Sequence, residues 1–279
     1  MKVRIGFALG GGGMLRLDDV DEIIEGLDRN GFDSVWLPET FLAGTLDPLV
    51  GLAYAAARSP RLKIGSHFVA PGRNPISIAK SLAQLDRLSK GRLLLVFVAG
   101  LADPAERRAQ GFPTGDRTVW FDDNLAKLRG WWSGEEVDGL RLDARPLQDP
   151  LEVWLGGQSA SALQRVGAIG DGWIPGRITR EAAVQAREVI ERAASEAGRS
   201  ISPEHYGINI GYTLATEPPA AITPEARDVV AVGVEQLHAT ISRWVEVGFT
   251  KVVVRPLAAP VDWTAELRGV AEAVLDLQT

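Results

Sequence analysis

Short apolar segments alternate with amphipathic segments along the whole chain, and this alternation most constrains the fold. The apolar segments have the length and composition of β-strands, and each is followed by a segment with apolar residues at helical spacing. The predicted strands are 3–9, 34–38, 62–69, 92–98, 151–155, 172–174, 206–216 and 250–255. The predicted helices are 18–30, 47–58, 75–89, a helix that ends at 131, a helix that begins after 157, 179–197, 233–247 and 263–277.

Eight strand–helix pairs in 279 residues predict a single-domain α/β protein with the (β/α)8 TIM-barrel fold, covering residues 1–279. An open doubly wound sheet fits this number of pairs less well. In such a barrel the active site lies at the carboxyl ends of the strands. Excursions from the repeat are expected near 99–116, 133–150 and 217–227, and the last two are expected to shape the substrate pocket.

The composition excludes several classes of function. A net charge of −6 argues against binding to nucleic acids or to a membrane surface. The chain has no cysteine and only three histidines, which are widely spaced, so no metal site is predicted. The amino terminus has the pattern of a first strand rather than a secretory leader, and no apolar run approaches the about 20 residues of a membrane helix. We therefore expect a cytoplasmic protein whose partner is a small-molecule substrate.

A glycine pair at Gly156-Gly157 lies between a predicted strand and a predicted helix. Unpaired backbone N–H groups and the positive end of the helix dipole make such a turn suitable for a phosphate on Gly157, Gln158 and Ser159. An ordinary tight strand-to-helix turn is the alternative at this point.

A run of four glycines, 10–13, follows the first predicted strand. With Glu39 as a ribose-binding acid, this run suggests a nicotinamide-binding Rossmann fingerprint. The spacing favours a flexible loop at the mouth of the barrel instead, because residues 14–17 intervene before the helix cap expected at Asp18.

Four charged or titratable residues lie at predicted strand ends. Glu39 follows the second strand and suits proton chemistry or a ligand hydroxyl, and a surface carboxylate is the alternative. His67, late in the third strand, is either a proton partner or a hydrogen-bonded structural group. Arg177 follows the sixth strand and Arg255 ends the eighth, where each could bind phosphate or pair with a structural carboxylate.

Five segments carry motifs that point to one family. They are GFDSVWLPE at 31–39, DPLVGLAYAAARSPRLKIG at 47–65, NPISIAKSLAQLDRLSKGR at 74–92, LRGWW at 128–132 and LEVWLGGQSASALQRVGAIGDGW at 151–173. The chain therefore resembles the luciferase-like monooxygenase family of flavin- or deazaflavin-dependent oxidoreductases. Its overall pattern is most similar to the short actinobacterial members that use coenzyme F420.

This resemblance implies a cofactor and a set of residues that bind it. The expected reaction is hydride transfer between coenzyme F420 and a small organic substrate, with FMN and monooxygenase chemistry as the alternative, in a homodimer. The cofactor-binding residues implied are Ser66, His67, Phe68, Ala99, Gly100, Gly156, Gly157, Gln158, Ser159, Arg177 and Arg255. The His67–Phe68 bond would form the family's bulge in the third strand, often with a cis peptide.

Three departures from the family pattern affect the reactive end of the site. Glu39-Thr40 stands where many deazaflavin dehydrogenases have Asp-His, so that base is absent. Val96 and Val98 replace two glycines after the fourth strand, which would narrow the ring pocket. Leu101 stands where the sugar-phosphate dehydrogenases have Glu, so a glucose-phosphate substrate is not expected. A cofactor-binding paralogue without turnover is therefore a further hypothesis.

Overall fold

Eight parallel strands form one curled sheet in the computed structural model, which describes residues 2–10, 16–112, 115–217 and 222–279. The strand order is β7-β4-β3-β2-β1-β10-β8-β9. These strands are β1 (Arg4–Ala8), β2 (Ser34–Trp36), β3 (Lys63–Val69), β4 (Leu93–Val98), β7 (Val153–Leu155), β8 (Gly207–Thr213), β9 (Val230–Val232) and β10 (Lys251–Pro256). A separate antiparallel hairpin pairs β5 (Glu136–Val137) with β6 (Leu140–Arg141).

Helices follow most of the strands, close to the predicted positions. They are α1 (Val20–Asn30), α2 (Pro48–Arg58), α3 (Pro75–Leu88), α4 (Pro104–Ala109), α5 (Val119–Ser133), α6 (Ala160–Ile169), α7 (Arg180–Glu196), α8 (Val234–Glu246) and α9 (Trp263–Val274). Local chemistry sets several beginnings, because Asp47, Asn74 and Ser159 each accept a hydrogen bond from a backbone N–H in the first turn of their helix. None of the described helices is long and apolar enough to span a membrane.

The pairing between β7 and β8 differs from the predicted closed barrel. Among the described residues, the β-pairing between these two strands consists of two isolated bridges, Leu155 with Trp173 and Trp173 with Tyr206. The predicted sixth strand at 172–174 is therefore reduced to the single residue Trp173. Pro175, which follows closely, has no N–H to donate and so cannot extend the ladder. The regular sheet is curled around an interior, but its ladders do not form a closed ring.

Two tryptophans fill the interior of the curl. Trp36 and Trp154 pack there with a small apolar cluster that is separate from the large core between strands and helices. Neighbouring strands carry glycine opposite these rings. A Cβ on Gly65 would lie 2.5 Å from Trp36, and a Cβ on Gly6 would lie 2.7 Å from its Nε1. The glycines therefore allow two large rings to occupy a narrow space, and the cavity lies above them.

Two buried or half-buried carboxylates from the family motifs stabilise the opposite, amino-terminal side of the sheet. Asp86, from LDRLSKGR, accepts hydrogen bonds from the N–H groups of Leu147 and Gln148, at 2.7 and 2.9 Å. Asp171, from DGW, accepts from the N–H of Val153 at 2.9 Å and also pairs with two arginines. These motif residues hold the fold together at a distance from the carboxyl ends of the strands.

The excursions contain structure that the sequence did not predict. The segment 99–116 contains α4, and 133–150 contains the β5–β6 hairpin. After the insertion at 217–227, β9 adds a parallel strand to β8, from Gly211–Thr213 to Val230–Val232. The glycines at 11–13 and residues 218–221 lie outside the described residues, so the mouth-loop prediction stays a prediction.

Candidate active site

A cavity of about 490 Å³ opens at the carboxyl ends of the strands. Its wall comes from β1, β3, β8, β9 and β10, from the loop after β2 and from the segment after Trp173. The described lining residues are Ala8, Gly10, Pro38, Thr40, Thr45, His67, Gly176, Arg177, Asn209, Gly211, Ile222, Thr223, Ala226, Val229, Val230, Arg255 and Leu257. Of the sequence-predicted site residues, His67, Arg177 and Arg255 therefore meet at one cavity.

His67 and Asn209 form a polar pair in this wall. The Nδ2 atom of Asn209 lies 3.2 Å from Nε2 of His67, and the imidazole packs on Trp36 with ring centroids 5.3 Å apart. Burial lowers the pKa of His67 to about 4, because the charged form would lose its hydration. His67 is therefore neutral near pH 7, and a neutral Nε2 accepts a hydrogen bond from the Asn209 amide.

Arg177 and Arg255 supply the positive charge of the cavity. No described carboxylate lies within 4.0 Å of either guanidinium, so the predicted alternative of a structural ion pair is not realised among the described residues. Burial lowers the pKa of Arg255, and the nearby positive charge of Arg177 lowers it further. Two like charges therefore face one solvent-accessible space.

The glycine turn after β7 lies beside this cavity rather than in its wall. Gly157 has a φ of +111°, a backbone conformation that favours glycine. The side chain of Ser159 caps α6, and Gln158 Nε2 donates to the carbonyl oxygen of Arg177 at 3.0 Å. Among the described residues, none accepts a hydrogen bond from the backbone N–H of Gly157, Gln158 or Ser159. The turn thus offers free donors at a helix amino terminus.

Glu39 lies behind the cavity wall, and protein groups occupy both of its carboxylate oxygens. Oε2 accepts a hydrogen bond from the N–H of Val69 at 2.7 Å, and Oε1 pairs with the guanidinium of Arg73. Arg73 in turn lies over the ring of Phe68, 4.7 Å from its centroid. Burial raises the pKa of Glu39 even though Arg73 opposes the shift. The alternative of a surface carboxylate is wrong, because the side chain is 4% exposed.

The alternation of β3 separates the three residues that the resemblance grouped together. His67 faces the cavity, whereas Ser66 donates to the carbonyl of Leu37 at 2.8 Å and Phe68 packs in the core between sheet and helices. The expected bulge is wrong for this structure. β3 pairs regularly with β4 from Ile64 to Val69, and the one cis peptide bond among the described residues is Asp149–Pro150.

The turn at Ala99-Gly100 is held by a buried glutamine. Gln110 Nε2 donates to the carbonyl of Ala99 at 3.2 Å, and Gly100 has a φ of +83°. Neither residue lines the cavity. Val96 is buried in the interior cluster with the tryptophans, and Val98 packs against that cluster close to Gly156. The two valines therefore lie beneath the cavity, and the described lining residues do not include them.

Sequence reasoning missed Asn209 and the threonines of the cavity, Thr40, Thr45 and Thr223. Asn209 lies in the middle of the apolar strand GINIGYT, and a polar residue inside a buried strand is a signal that could have identified it. The threonines lie in loops and carry no comparable signal. No group of three or more His, Cys, Asp or Glu with metal-binding geometry occurs in the described part of the chain.

The parallel sheet and its cavity define an α/β protein of the kind that binds ligands at the carboxyl ends of its strands. Comparison with known proteins then identifies the family. The luciferase-like monooxygenase family matches residues 3–256, and the chain belongs to that family.

Two relatives illustrate how far the similarity extends. An uncharacterised protein of Mycobacterium tuberculosis is 27% identical over 230 residues, which cover 78% of this chain and 72% of that protein. The 4-hydroxyprotoasukamycin monooxygenase of Streptomyces nodosus subsp. asukaensis is 26% identical over 222 residues, 70% of this chain and 58% of that protein.

Solved structures share the fold over nearly the whole chain. The coenzyme F420-dependent tetrahydromethanopterin reductase of Methanopyrus kandleri is 18% identical, with a TM-score of 0.80 and full coverage of both chains. An F420-dependent secondary alcohol dehydrogenase in complex with an F420-acetone adduct is 17% identical, with a TM-score of 0.84 and full coverage of both chains. An FMN-bound component of the 3,6-diketocamphane monooxygenase of Pseudomonas putida is 16% identical, with a TM-score of 0.76 over 100% of this chain and 99% of that one.

Proposed function

We propose that this protein is an oxidoreductase that uses coenzyme F420 for hydride transfer to or from a small organic substrate. Two F420-dependent enzymes share its fold with TM-scores of 0.80 and 0.84, which supports a deazaflavin. When bound, the deazaflavin supplies a ring that exchanges a hydride, and the protein supplies orientation and electrostatics.

The observation that carries the proposal is the turn from Gly156 to Ser159. It offers three free backbone N–H groups at a helix amino terminus, beside the cavity, and the side chain of Gln158 joins it to Arg177. A phosphate is the group that such a turn suits best, because donors and helix dipole both favour a negative charge. We assign the cofactor phosphate to Gly157, Gln158 and Ser159, and its ring to the cavity.

We propose that His67 contacts the reacting groups. Its neutral imidazole lines the cavity, and its hydrogen bond with Asn209 fixes the plane of the ring. We propose that this pair hydrogen-bonds the substrate or the ring edge. Glu39 is better suited to a positioning role, because its carboxylate holds Val69 and Arg73 rather than the cavity. Of the residues at 66–68 and 99–100, only His67 lines the cavity to which we assign the ring.

An FMN-dependent monooxygenase is the second candidate function. It is supported by the 4-hydroxyprotoasukamycin monooxygenase, at 26% identity, and by the FMN-bound fold neighbour with a TM-score of 0.76. A cofactor-binding paralogue without turnover is the third. We further propose that residues 1–279 act as one (β/α)8 barrel, with Trp173 standing in for the sixth strand.

Binding measurements test the cofactor directly. Purified protein is titrated with F420, FMN and NADPH, with quenching of tryptophan fluorescence as the signal, since the chain has eight tryptophans. We expect F420 to bind with a Kd below about 100 μM, a free energy of about −5.5 kcal/mol, and NADPH not to bind. Tighter binding of FMN than of F420 would favour the second candidate, and binding of neither would overturn both.

The variant Gly157→Asp tests where the phosphate binds. A carboxylate and a Cβ at this turn should weaken F420 binding by at least about 100-fold, because the added negative charge repels a phosphate bound in direct contact with it. Gly139→Asp is the matched control, since Gly139 also has a positive φ but its Cβ would have no neighbour within 4 Å. Equal F420 affinity in the two variants would show that the phosphate binds elsewhere.

A further inference from the structure

The cavity has an unbalanced charge. Among its described lining residues, Arg177 and Arg255 are the charged side chains, and the lining includes no aspartate or glutamate. His67 adds no charge near neutral pH, since burial lowers its pKa to about 4. The cavity therefore presents two positive charges to whatever enters it.

Arg255 is half-buried, and other half-buried arginines of this chain have partners of the opposite charge or carbonyl groups. Arg73 pairs with Glu39, and both Arg129 and Arg199 pair with Asp171. Arg92 donates to the backbone carbonyls of three residues. Against this pattern, the half-buried guanidinium of Arg255 has no described carboxylate partner and lines one cavity with the exposed Arg177, which indicates a charge that a ligand neutralises.

The other lining residues of the cavity indicate the chemistry of the rest of that ligand. Ala8, Val229, Val230 and Leu257 are apolar lining residues of the cavity that also contains the polar pair at His67 and the two arginines. An apolar molecule with one anionic end would bury its body against these side chains and place its charge between the guanidiniums.

With the cofactor phosphate placed at the glycine turn, as proposed above, the two arginines are left for a second anion. The turn at Gly157–Ser159 has its own N–H donors, and none of its residues is among the described lining of the cavity. We infer that Arg177 and Arg255 bind the carboxylate or similar anionic head of an apolar organic substrate. Calling this molecule the substrate rests on the proposed function, whereas the anion site itself does not.

Octanoate and its neutral analogue octanamide are suitable probes. Binding of each is measured by calorimetry to the cofactor-free protein and to protein loaded with F420. We expect octanoate to bind at least about tenfold more tightly than octanamide, and Arg255→Gln or Arg177→Gln to abolish that preference, as loss of a charge-assisted hydrogen bond predicts. Arg255→Lys keeps the positive charge and should therefore retain part of the preference for octanoate over octanamide.

Arg227→Gln is the control, because it removes the same charge from an exposed arginine that already pairs with Glu181 at 3.9 Å. It should leave the preference for octanoate unchanged. The inference would be overturned if Arg227→Gln lost the preference for octanoate to the same extent. It would also be overturned if octanoate and octanamide bound equally well to the native protein.

The anion that the arginines bind could instead belong to the cofactor. This is tested by comparing the binding of FMN and riboflavin, which differ by the phosphate. If Arg255→Gln removes the preference for FMN over riboflavin, the arginines bind the cofactor and the inference is wrong. If neither F420 nor FMN binds to the native protein, the proposed function fails, while the octanoate comparison on the cofactor-free protein still decides the anion site.

Discussion

The indole Nε1 of Trp173 donates a hydrogen bond of 2.9 Å to the carbonyl oxygen of Gly157. Trp173 is fully buried and also makes both bridges between β7 and the start of β8. The backbone of Trp173 therefore bridges β7 and the start of β8, and its side chain bonds the glycine turn. The GG and DGW motifs, which are separate in the sequence, form a single structural unit.

This hydrogen bond predicts a measurable effect on cofactor binding. Trp173→Phe keeps an aromatic ring but removes the donor, which costs about 1 kcal/mol and should weaken F420 binding about fivefold. Trp132→Phe is the matched control, because its Nε1 donates to the carbonyl of Ala79 at 3.0 Å on the outer helices. Unchanged affinity in Trp173→Phe, measured by fluorescence titration, would mean that the turn holds its shape without the indole.

The ion pair between Glu39 and Arg73 predicts a loss of stability. Glu39→Gln leaves a half-buried guanidinium without its partner and should lower the free energy of unfolding by about 3 kcal/mol in urea titrations. Glu191→Gln is the control, since its pair with Arg187 at 2.7 Å is on the surface and should cost less than about 1 kcal/mol. Because Glu39 does not line the cavity, octanoate affinity should stay within about twofold in the folded variant. Equal stability losses in the two variants would contradict this account.

The low pKa of His67 predicts a dependence of stability on pH. Its pKa is lowered to about 4 by burial, against 6.5 when the imidazole is in water. Between these values the unfolded chain binds a proton that the folded chain does not, so the stability falls as the pH drops from 6.5 to 4. At pH 5 the loss is about 2 kcal/mol.

Comparison with His67→Gln isolates this contribution. The stability of the native protein relative to this variant should decrease by about 2 kcal/mol between pH 7 and pH 5 in urea titrations. His238→Gln, at an exposed position, controls for the loss of a histidine. A constant difference between native protein and His67→Gln over this pH range would exclude a buried neutral imidazole.

Asp86 is expected to stabilise the fold without affecting the site. Asp86→Asn places an amide group against the N–H donors of Leu147 and Gln148, and we expect a loss of about 2–3 kcal/mol in unfolding free energy. Asp138→Asn, in the exposed hairpin, should change stability by less than about 0.5 kcal/mol. F420 affinity should be the same in both variants, and a selective loss in Asp86→Asn would link the excursion at 133–150 to the cofactor.

Features with local causes could be predicted from the sequence. Apolar spacing predicts a helix at 75–89, and the structure places α3 at Pro75–Leu88. The capping of the turn at Ser159 was predictable for the same reason, since a serine before a helix bonds within its own first turn. Neither depends on which strands are neighbours in space.

Features that depend on register and neighbours could not be predicted. His67 and Phe68 are adjacent in the chain, yet one faces the cavity and the other packs against helices, because β3 alternates its side chains between two faces. Glu39 and Arg73 form an ion pair only because β2 lies beside β3 in the sheet.

The amino-acid sequence by itself determined the alternation of strands and helices, the glycine turn after β7 and the membership of the family, because these follow from periodicity, backbone preference and local motifs. Only the tertiary structure decided that the predicted sixth strand is reduced to Trp173, whose indole bonds that turn, and that Arg177 and Arg255 line one cavity without a described counter-charge. The physical reason is that burial and charge balance are properties of groups brought together from distant parts of the chain.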